Sequence, residues 1–308
     1  MPDLTFGCDV YWEDDIQTPH PHINYPAMAE ACGFTGIKAS QGTSADPDYL
    51  INMGEAKDAG LLRFPYHFAD YRYSWEPQYE VFKKQIDQTP DWEIVPCLDY
   101  EERLIWGTVK RDGSLVWIKA FLEQLAKDIS YKPLIYINTS MLRTLSPIPD
   151  WLLTYPLWIA AYPYITGTLN CVRDWSQVPP AFVPFTKPWP SYLMWQFTPS
   201  GDGTKLGIAS KGADLNVYQG TKEELRAEKA KYQIVASLAT SGSPQPEQPA
   251  KDFTELTKPI TTTSELSSNP LQLPVAPQPV QNSTGYTHQT AAKPNWSLSG
   301  RDPQKLPR

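Results

Sequence analysis

Carboxylic acids stand at the ends of three strand-like segments of this sequence. Asp99 and Glu101 follow the apolar run at 95–98, Asp9 ends the first strand-like segment, and Asp214 opens the last. Because side chains alternate along a strand with a period of two, the i, i+2 spacing puts Asp99 and Glu101 on one face. The sequence therefore predicts a pair of carboxyl groups, with two further acids as candidates for the same site.

Paired carboxylates have a defined use in glycoside hydrolysis. One group stays protonated near neutral pH and donates its proton to the leaving oxygen, while the other is ionised and acts on the anomeric side. Like-charge neighbours and partial burial raise one pKa, and hydrogen bonds keep the other group ionised, so the chemistry needs no cofactor. Each acid alone is explained as well by a turn or a solvated rim. Four acids at one barrel mouth favour a site.

Aromatic residues are abundant near the same strand ends. Their rings could stack on the faces of a sugar, although each ring could also belong to the core or the rim. The rings on or near strand ends are Tyr66, Trp75, Tyr100, Trp106, Trp158, Tyr162 and Trp195. The candidate substrate contacts among them are Tyr66, Tyr100, Trp158, Tyr162 and Trp195.

These candidates need a fold that gathers strand ends. Strands that alternate with helical patterns indicate parallel βαβ units, and eight strands indicate an α/β fold that closes into a TIM-like barrel. In such a barrel the working groups collect at the carboxyl ends of the strands. The last three strands have less helix between them, which predicts an irregular barrel there. The strand-like segments are 4–10, 34–40, 61–69, 94–100, 133–139, 156–162, 192–198 and 213–220, and the helical ones are 24–33, 48–60, 76–89, 114–129 and 221–231.

Length and charge limit the classes of protein that fit. With 308 residues, 41% of them hydrophobic, the chain can bury one barrel core and carry an appendage. A net charge of −7 argues against nucleic acid as a partner. No apolar stretch approaches the ~20 residues that span a bilayer, and the N-terminus lacks the features of a secretory signal. We therefore expect synthesis in the cytoplasm without a signal peptide, and a monomer.

The composition changes sharply near residue 235. Residues 235–308 hold eleven of the 31 prolines and have long gaps between bulky residues. Such a segment cannot bury enough apolar area to offset the entropy lost on ordering. We expect a catalytic barrel at 1–234 and a linker or disordered tail at 235–308. The alternative is a docking tail, with Tyr286 and Trp296 as its anchors.

Histidine and cysteine give weaker signals. The pair His20-x-His22 has no third ligand in view and indicates a surface loop more than a metal site. His67 lies inside a strand and is read as a hydrogen-bonded barrel residue, with a catalytic base as the alternative. No cofactor or metal is indicated. The cysteines lack metal-like spacing and are predicted to be reduced, buried thiols: Cys8, Cys32, Cys97 and Cys171.

Several short stretches have the order and spacing of one known family. They are GCDVYW (7–12), KASQGTSADPDY (38–49), AGLLRFPYHFA (59–69), VPCLDYE (95–101), PLIYIN (133–138), PLWIAAY (156–162), MWQF (194–197) and ADLNVYQG (213–220). Together they resemble the glycoside hydrolase family 25 lysozymes, the Chalaropsis-type N-acetylmuramidases, over most of residues 4–220.

The resemblance implies a flattened (β/α)5(β)3 barrel that cleaves the β-1,4 bond between N-acetylmuramic acid and N-acetylglucosamine in peptidoglycan. It makes Glu101 the general acid and Asp99 the second essential carboxylate, with Asp9 and Asp214 as supporting acids. In one mechanism Asp99 orients the 2-acetamido oxygen of the substrate as an internal nucleophile, and in others it acts on the anomeric carbon or on water. Tyr66 matches a family aromatic near the scissile bond.

Two departures from the family pattern bear on the site. Gln41 stands where the family usually has Glu, which removes a negative charge, and we count Gln41 among the candidate substrate-binding residues. The segment 173–192 is longer and richer in proline than expected, and we expect it to shape one wall of the substrate groove.

Two classes of function follow from the sequence. The first is a muramidase, either a phage-type endolysin or another wall-lytic enzyme, which acts on the bacterial cell wall after release by phage-type lysis or non-classical export. The second is a non-catalytic wall-binding or virion structural module on the same barrel. Intact acids at all four positions favour the enzyme.

Overall fold

A computed structural model describes residues 3–15, 23–101, 110–209 and 212–234. Every predicted strand and helix is present, with shifted ends, and a short strand (β3) and a short helix (α5) appear in addition. The strands are β1 (Leu4–Val10), β2 (Phe34–Gln41), β3 (Ser44–Ala45), β4 (Leu62–Phe68), β5 (Cys97–Asp99), β6 (Leu134–Asn138), β7 (Leu157–Ala160), β8 (Met194–Gly201) and β9 (Ala213–Gln219). The helices are α1 (Tyr25–Ala31), α2 (Tyr49–Asp58), α3 (Trp75–Ile86), α4 (Arg111–Ile129), α5 (Thr139–Thr144) and α6 (Lys222–Lys231).

Eight of the strands close into a barrel, which confirms the predicted α/β class. Their order is β1, β9, β8, β7, β6, β5, β4 and β2, and β2 pairs with β1 to complete the ring. Seven strands are parallel, whereas β9 pairs antiparallel with both β8 and β1. The expectation of parallel strands is therefore wrong for β9. Eleven residues, 202–212, join β8 to β9, and a parallel return needs a crossover of a dozen residues or more.

Local sequence explains where two of the helices begin. Asn24 caps α1 by accepting the backbone N–H of Ala27 at 3.1 Å, and Pro26 occupies the first turn, where its missing N–H is harmless. Thr221 and Glu224 form a reciprocal capping box at the start of α6. Both helix starts follow from short sequence signals.

The barrel interior is packed with aromatic rings below the mouth. Trp158 meets Phe64 and Tyr136 edge to face, with ring centroids 5.2 and 4.5 Å apart. Gly36 lies beside this cluster in β2. A Cβ at position 36 would come within 2.7 Å of the Phe64 ring and 3.2 Å of the Cβ of Asp9, so glycine leaves the space in which this acid sits.

The segment 173–192 covers the outer face of β8. Trp175 and Phe182 pack against Trp195, with ring centroids 5.5 and 5.4 Å from its ring. The segment therefore occupies the place that a crossover helix takes beside other strands. These contacts give it a packing role outside the barrel, which differs from the expected role as a wall of the substrate groove.

Some predictions concern other parts of the chain. The tail at 235–308, the His20-x-His22 pair and Trp106 lie outside the described residues, so the boundary between barrel and tail stays a prediction. Of the helices that are described, none has the length and apolar character to cross a bilayer. The cysteines are free thiols, buried at three positions and partly exposed at Cys171.

Candidate active site

The four predicted acids gather at one end of the barrel. Asp9 in β1 lies directly opposite Asp214 in β9, Asp99 ends β5, and Glu101 follows two residues later. Because β9 is antiparallel, its first residues lie where the parallel strands finish. Asp9 and Asp99 are 8% and 7% exposed, while Asp214 and Glu101 are partly exposed.

Tyr66 lies close to three of these acids. Tyr66 in β4 is 5% exposed and donates a hydrogen bond to the backbone carbonyl of Val10 at 3.4 Å. Burial raises the pKa of Tyr66 well above its ordinary value, and the negative charges of Asp9, Asp99 and Asp214 raise it further. The structure therefore puts the predicted Tyr66 next to the acids.

Asp9 is held by two side-chain amides. Its Oδ1 accepts hydrogen bonds from Nε2 of Gln196 at 3.0 Å and from Nδ2 of Asn216 at 2.7 Å. The net effect of its surroundings raises the pKa of Asp9 to about 7. Burial, the largest cause, and the charge of Asp14 raise the pKa, while the two amide hydrogen bonds and the positive charge of Lys38 lower it. Near neutral pH this carboxyl group therefore exists in both protonation states.

Gln196 connects Asp9 to two tyrosines. Its Oε1 accepts the hydroxyl groups of Tyr136 at 2.8 Å and of Tyr162 at 2.6 Å, while its Nε2 donates to Asp9. Burial raises the pKa of both tyrosines, and the negative charge of Glu101 contributes to each rise. The network thus runs from Asp9 across the mouth to the neighbourhood of Glu101.

Glu101 is oriented by Asn138, at the end of the neighbouring strand β6. Nδ2 of Asn138 donates to Oε2 of Glu101 at 3.2 Å. The other end of the same amide caps α5, since Oδ1 of Asn138 accepts the backbone N–H of Met141 at 2.8 Å. Because the helix cap fixes the amide, the amide in turn limits where the Glu101 carboxyl group can point.

A buried lysine brings positive charge to the same mouth. Lys38 is 7% exposed, and its ammonium group lies 4.1 Å from the centre of the Tyr11 ring and 5.5 Å from that of Phe68. It donates to Oε1 of Gln41 at 3.2 Å. A carboxylate at position 41 would neutralise this charge, whereas the amide of Gln41 leaves it to act on Asp9.

Three of the predicted sugar contacts are packed away from solvent. Trp158 is 1% exposed, and its Nε1–H donates to Oδ1 of Asn216 at 2.8 Å. Tyr100 and Trp195 are next in sequence to inward-facing residues and so turn outward, where they are 1% and 2% exposed. Tyr100, for example, packs against Trp117 at 5.4 Å. These rings offer no open face to a sugar, which corrects the role predicted for them; Tyr162 and Gln41 remain partly exposed.

The amide side chains that hydrogen-bond to the acids were not predicted as site residues, although the motifs that contain them were recognised. Gln196 lies in MWQF, Asn138 in PLIYIN and Asn216 two residues after Asp214 in ADLNVYQG. The same period-two spacing that pairs Asp99 with Glu101 puts Asn216 on the face of Asp214. Strand parity could therefore have found Asn216.

No metal centre competes for these acids in the part of the chain that the structure describes. There, no group of three or more His, Cys, Asp or Glu side chains is arranged to hold a metal ion. His67 is fully buried and hydrogen-bonded to Ser40 and Gln78, which confirms its reading as a barrel residue.

A closed barrel with crowded carboxyl groups at the carboxyl ends of its parallel strands is the arrangement in which barrel enzymes place their active sites. The sequence matches the Glycosyl hydrolases family 25 over residues 12–205. The chain belongs to this family.

Sequence identity to individual relatives is low. The uncharacterized protein YegX of Escherichia coli strain K12 is 25% identical over 195 residues, which cover 63% of this chain and 62% of YegX. The match thus spans less than two thirds of that relative. A family 25 glycosyl hydrolase from Bacillus anthracis aligns with a TM-score of 0.58 and 19% identity, over 72% of this chain and 92% of its own. A family 25 lysozyme from Aspergillus fumigatus aligns with a TM-score of 0.57 and 24% identity, over 74% and 99%. At such identities the two structures share the fold.

Proposed function

We propose that this barrel is a peptidoglycan hydrolase, and more narrowly a muramidase that cleaves the β-1,4 bond between N-acetylmuramic acid and N-acetylglucosamine. Membership of the Glycosyl hydrolases family 25 supports a glycoside substrate. The observation that carries the proposal is the unequal setting of two carboxyl groups two residues apart: Asp99 is 7% exposed, while Glu101 is partly exposed and oriented by Asn138.

In this proposal Glu101 is the general acid. It protonates the glycosidic oxygen as the bond to the anomeric carbon breaks. Where an intermediate forms on the acetamido oxygen or on Asp99, Glu101 then takes a proton from the water that completes hydrolysis; where Asp99 acts on water directly, Asp99 takes that proton. Asn138 holds its carboxyl group toward the open mouth. Asp99 is the ionised partner on the anomeric side, where it orients the 2-acetamido oxygen of the substrate or acts on the anomeric carbon or water directly.

The remaining groups shape charge and contact at the mouth. Asp214, together with Asp9 in its ionised form, supplies negative charge beside the reacting carbon, which suits a transition state of oxocarbenium character. Tyr66 lies among the acids with its hydroxyl group on the carbonyl of Val10, while Tyr162 and Gln41 have exposed area with which to contact the sugar. We place the activity at the bacterial cell wall, in lysis of the phage type.

Analysis of the cut ends tests both the activity and the bond. Purified walls would be digested by the full chain, reduced with borohydride and hydrolysed, with Glu101→Gln as the blank. We expect new muramitol, because a muramidase leaves N-acetylmuramic acid at the reducing end. New glucosaminitol would show that the other glycosidic bond is cut. Walls that bind the protein but gain no reducing ends would establish the non-catalytic module instead.

A further inference from the structure

A pocket lies at the opposite end of the barrel from the acids. It opens where β7 begins at Leu157 and where β9 ends at Gln219, and it has a volume of about 440 Å³. Gln219 lies five positions after Asp214 in β9, which corresponds to about 17 Å along the strand. The volume falls within the ~300–1,000 Å³ of small-ligand sites. The pocket is thus a separate candidate site, remote from the mouth.

Aromatic rings form much of the pocket wall. Trp189 and Tyr155 are nearly buried and fixed to each other, because the indole N–H of Trp189 donates to the backbone carbonyl of Tyr155 at 3.1 Å. Tyr192 and Tyr232 are partly exposed and bring ring surface to the opening. A rigid aromatic floor with accessible rings at the rim suits a ligand that has flat apolar faces.

The polar groups of the pocket are already oriented. Nε2 of Gln219 donates to the Tyr192 hydroxyl at 2.8 Å, and the Tyr218 hydroxyl donates to Glu228 at 3.2 Å. Lys231 pairs with the same Glu228 carboxylate at 2.6 Å, so the two charges balance each other. The lining therefore offers amide, phenol and carboxylate partners without an excess charge that would select an anion or a cation.

We propose that this pocket binds neutral N-acetylhexosamine units of a glycan strand. A pyranose ring has C–H faces that pack on aromatic rings and equatorial hydroxyl and acetamido groups that pair with oriented amides and phenols. A nucleotide or other polyanion would need unpaired cationic groups, and Lys231 is engaged by Glu228. The inference extends the proposed function, since a glycan that is cut at the mouth can also be held at the far end, which raises retention on an insoluble wall.

Chitotetraose, a chain of four N-acetylglucosamine units without muramic acid, is a suitable probe. The full chain carrying Glu101→Gln would be titrated with chitotetraose by NMR, following the indole N–H of Trp189 and the backbone amides of 189, 191–193 and 219. We expect saturable shifts at these positions. Tyr192→Ala should weaken this binding about tenfold or more, equivalent to about 1.4 kcal/mol, because the ring face is lost. Tyr192→Phe keeps the ring and should retain most of the affinity.

Gln219→Ala provides a second variant. Gln88→Ala is its matched control, since Gln88 is exposed on the turn after α3 and its side chain donates to Lys84 and Gln85 in the last turn of that helix. We expect Gln219→Ala to weaken binding and Gln88→Ala to leave it unchanged. In co-sedimentation with walls, Tyr192→Ala should reduce retention while turnover of short soluble fragments stays at the wild-type rate.

Chitotetraose shifts confined to residues at the mouth, or equal affinity of Tyr192→Ala and wild type at the pocket, would overturn the inference. The readout is independent of catalysis. If the wild type releases no muramitol but chitotetraose still shifts the Trp189 indole, the proposed hydrolase fails and the glycan pocket stands.

Discussion

Two buried polar clusters lie on opposite faces of the same strand. In β4, Tyr66 points into the barrel, where the charges of the acids raise its pKa. The next residue, His67, points outward beneath α3 and α4. There its ring stacks on Phe121 at 5.1 Å and lies 5.6 Å from Phe82. One step along the chain therefore separates a reactive environment from a packing environment.

The outer cluster is neutral and fully paired around His67. Oγ of Ser40 lies 2.8 Å from Nδ1, and Oε1 of Gln78 lies 3.3 Å from Nε2. The Gln78 amide also donates to the backbone carbonyls of Asp70 and Ser74. Burial lowers the pKa of His67 to about 3, so the ring stays uncharged at ordinary pH and cannot serve as a base that exchanges protons with substrate.

The inner cluster has the same kind of partners but a different charge. Its amides, Gln196 and Asn216, bind a carboxyl group whose pKa burial raises to about 7, and further acids surround it. Burial alone therefore does not make a polar group functional. A group that burial tunes toward neutral pH, at an open mouth, can take part in chemistry, whereas a group that burial holds neutral stabilises the fold.

The largest expected effect is on catalysis at the inner cluster. Glu101→Gln should lower turnover at least ~100-fold, because the general acid is lost while size and hydrogen bonding are kept. The free energy of unfolding should change by less than ~0.5 kcal/mol, since Glu101 is not in the core. Initial rates of wall clearing and urea unfolding measure the two quantities. Glu123→Gln, on the exposed side of α4, is the matched control, and wild-type rates from Glu101→Gln would refute the assignment.

The opposite outcome is expected at the outer cluster. His67→Ala should lower the free energy of unfolding by about 3 kcal/mol, because it leaves a cavity and removes a partner from Ser40 and Gln78. Turnover per folded molecule should stay near that of the wild type. Urea unfolding and active-site-normalised rates check this. A selective loss of turnover in a stable variant would show that His67 takes part in the reaction.

The two clusters should also respond oppositely to pH. Asp9 has a folded pKa of about 7, above its unfolded value, so its contribution to stability is present at low pH and is lost as pH rises toward 7. His67 has a lowered pKa, so its contribution is lost as pH falls below ~6.5 toward 3. Between pH 5 and pH 8, Asp9→Asn should therefore remove a decline in stability on the order of 2 to 3 kcal/mol.

Urea unfolding of wild type and Asp9→Asn across that range measures the difference. The asparagine can still accept from Gln196 and Asn216, so the hydrogen bonds survive and only the titration is removed. Identical slopes of stability against pH in both proteins would show that Asp9 does not titrate in this window.

The smallest expected effect concerns Gln41. Gln41→Glu adds a negative charge at the mouth, but Lys38 lies 3.2 Å away and would neutralise much of it. The new ion pair would also reduce the extent to which the charge of Lys38 lowers the pKa of Asp9. The alkaline limb of the profile of kcat/KM against pH reports loss of the proton from Glu101. We expect this limb to move to higher pH by about 0.5 pH units or less. Gln88→Glu, remote from the mouth, is the control, and a fixed limb in Gln41→Glu would show that position 41 is electrostatically separate from the reacting acids.

The sequence predicted the features of this site that depend on residues close together in the chain. Apolar alternation located the strands, and the acids at their ends needed only that location to be recognised as a group. Period-two spacing identified Asp99 and Glu101 as a pair, and Asn24 with Pro26 marked the start of α1. Each of these features depends on residues a few positions apart, which a sequence displays directly.

Tertiary structure decided the rest. The antiparallel direction of β9 brings Asp214 opposite Asp9, and a parallel β9 would have put Asp214 at the far end of the barrel. Likewise, the amide of Gln196 meets Asp9 across 187 positions of sequence. Whether Trp158 faces a sugar or the core depended on which rings close over it. Such contacts follow from how distant strands pair and pack, and burial, which sets the pKa of an acid, exists only after they have done so.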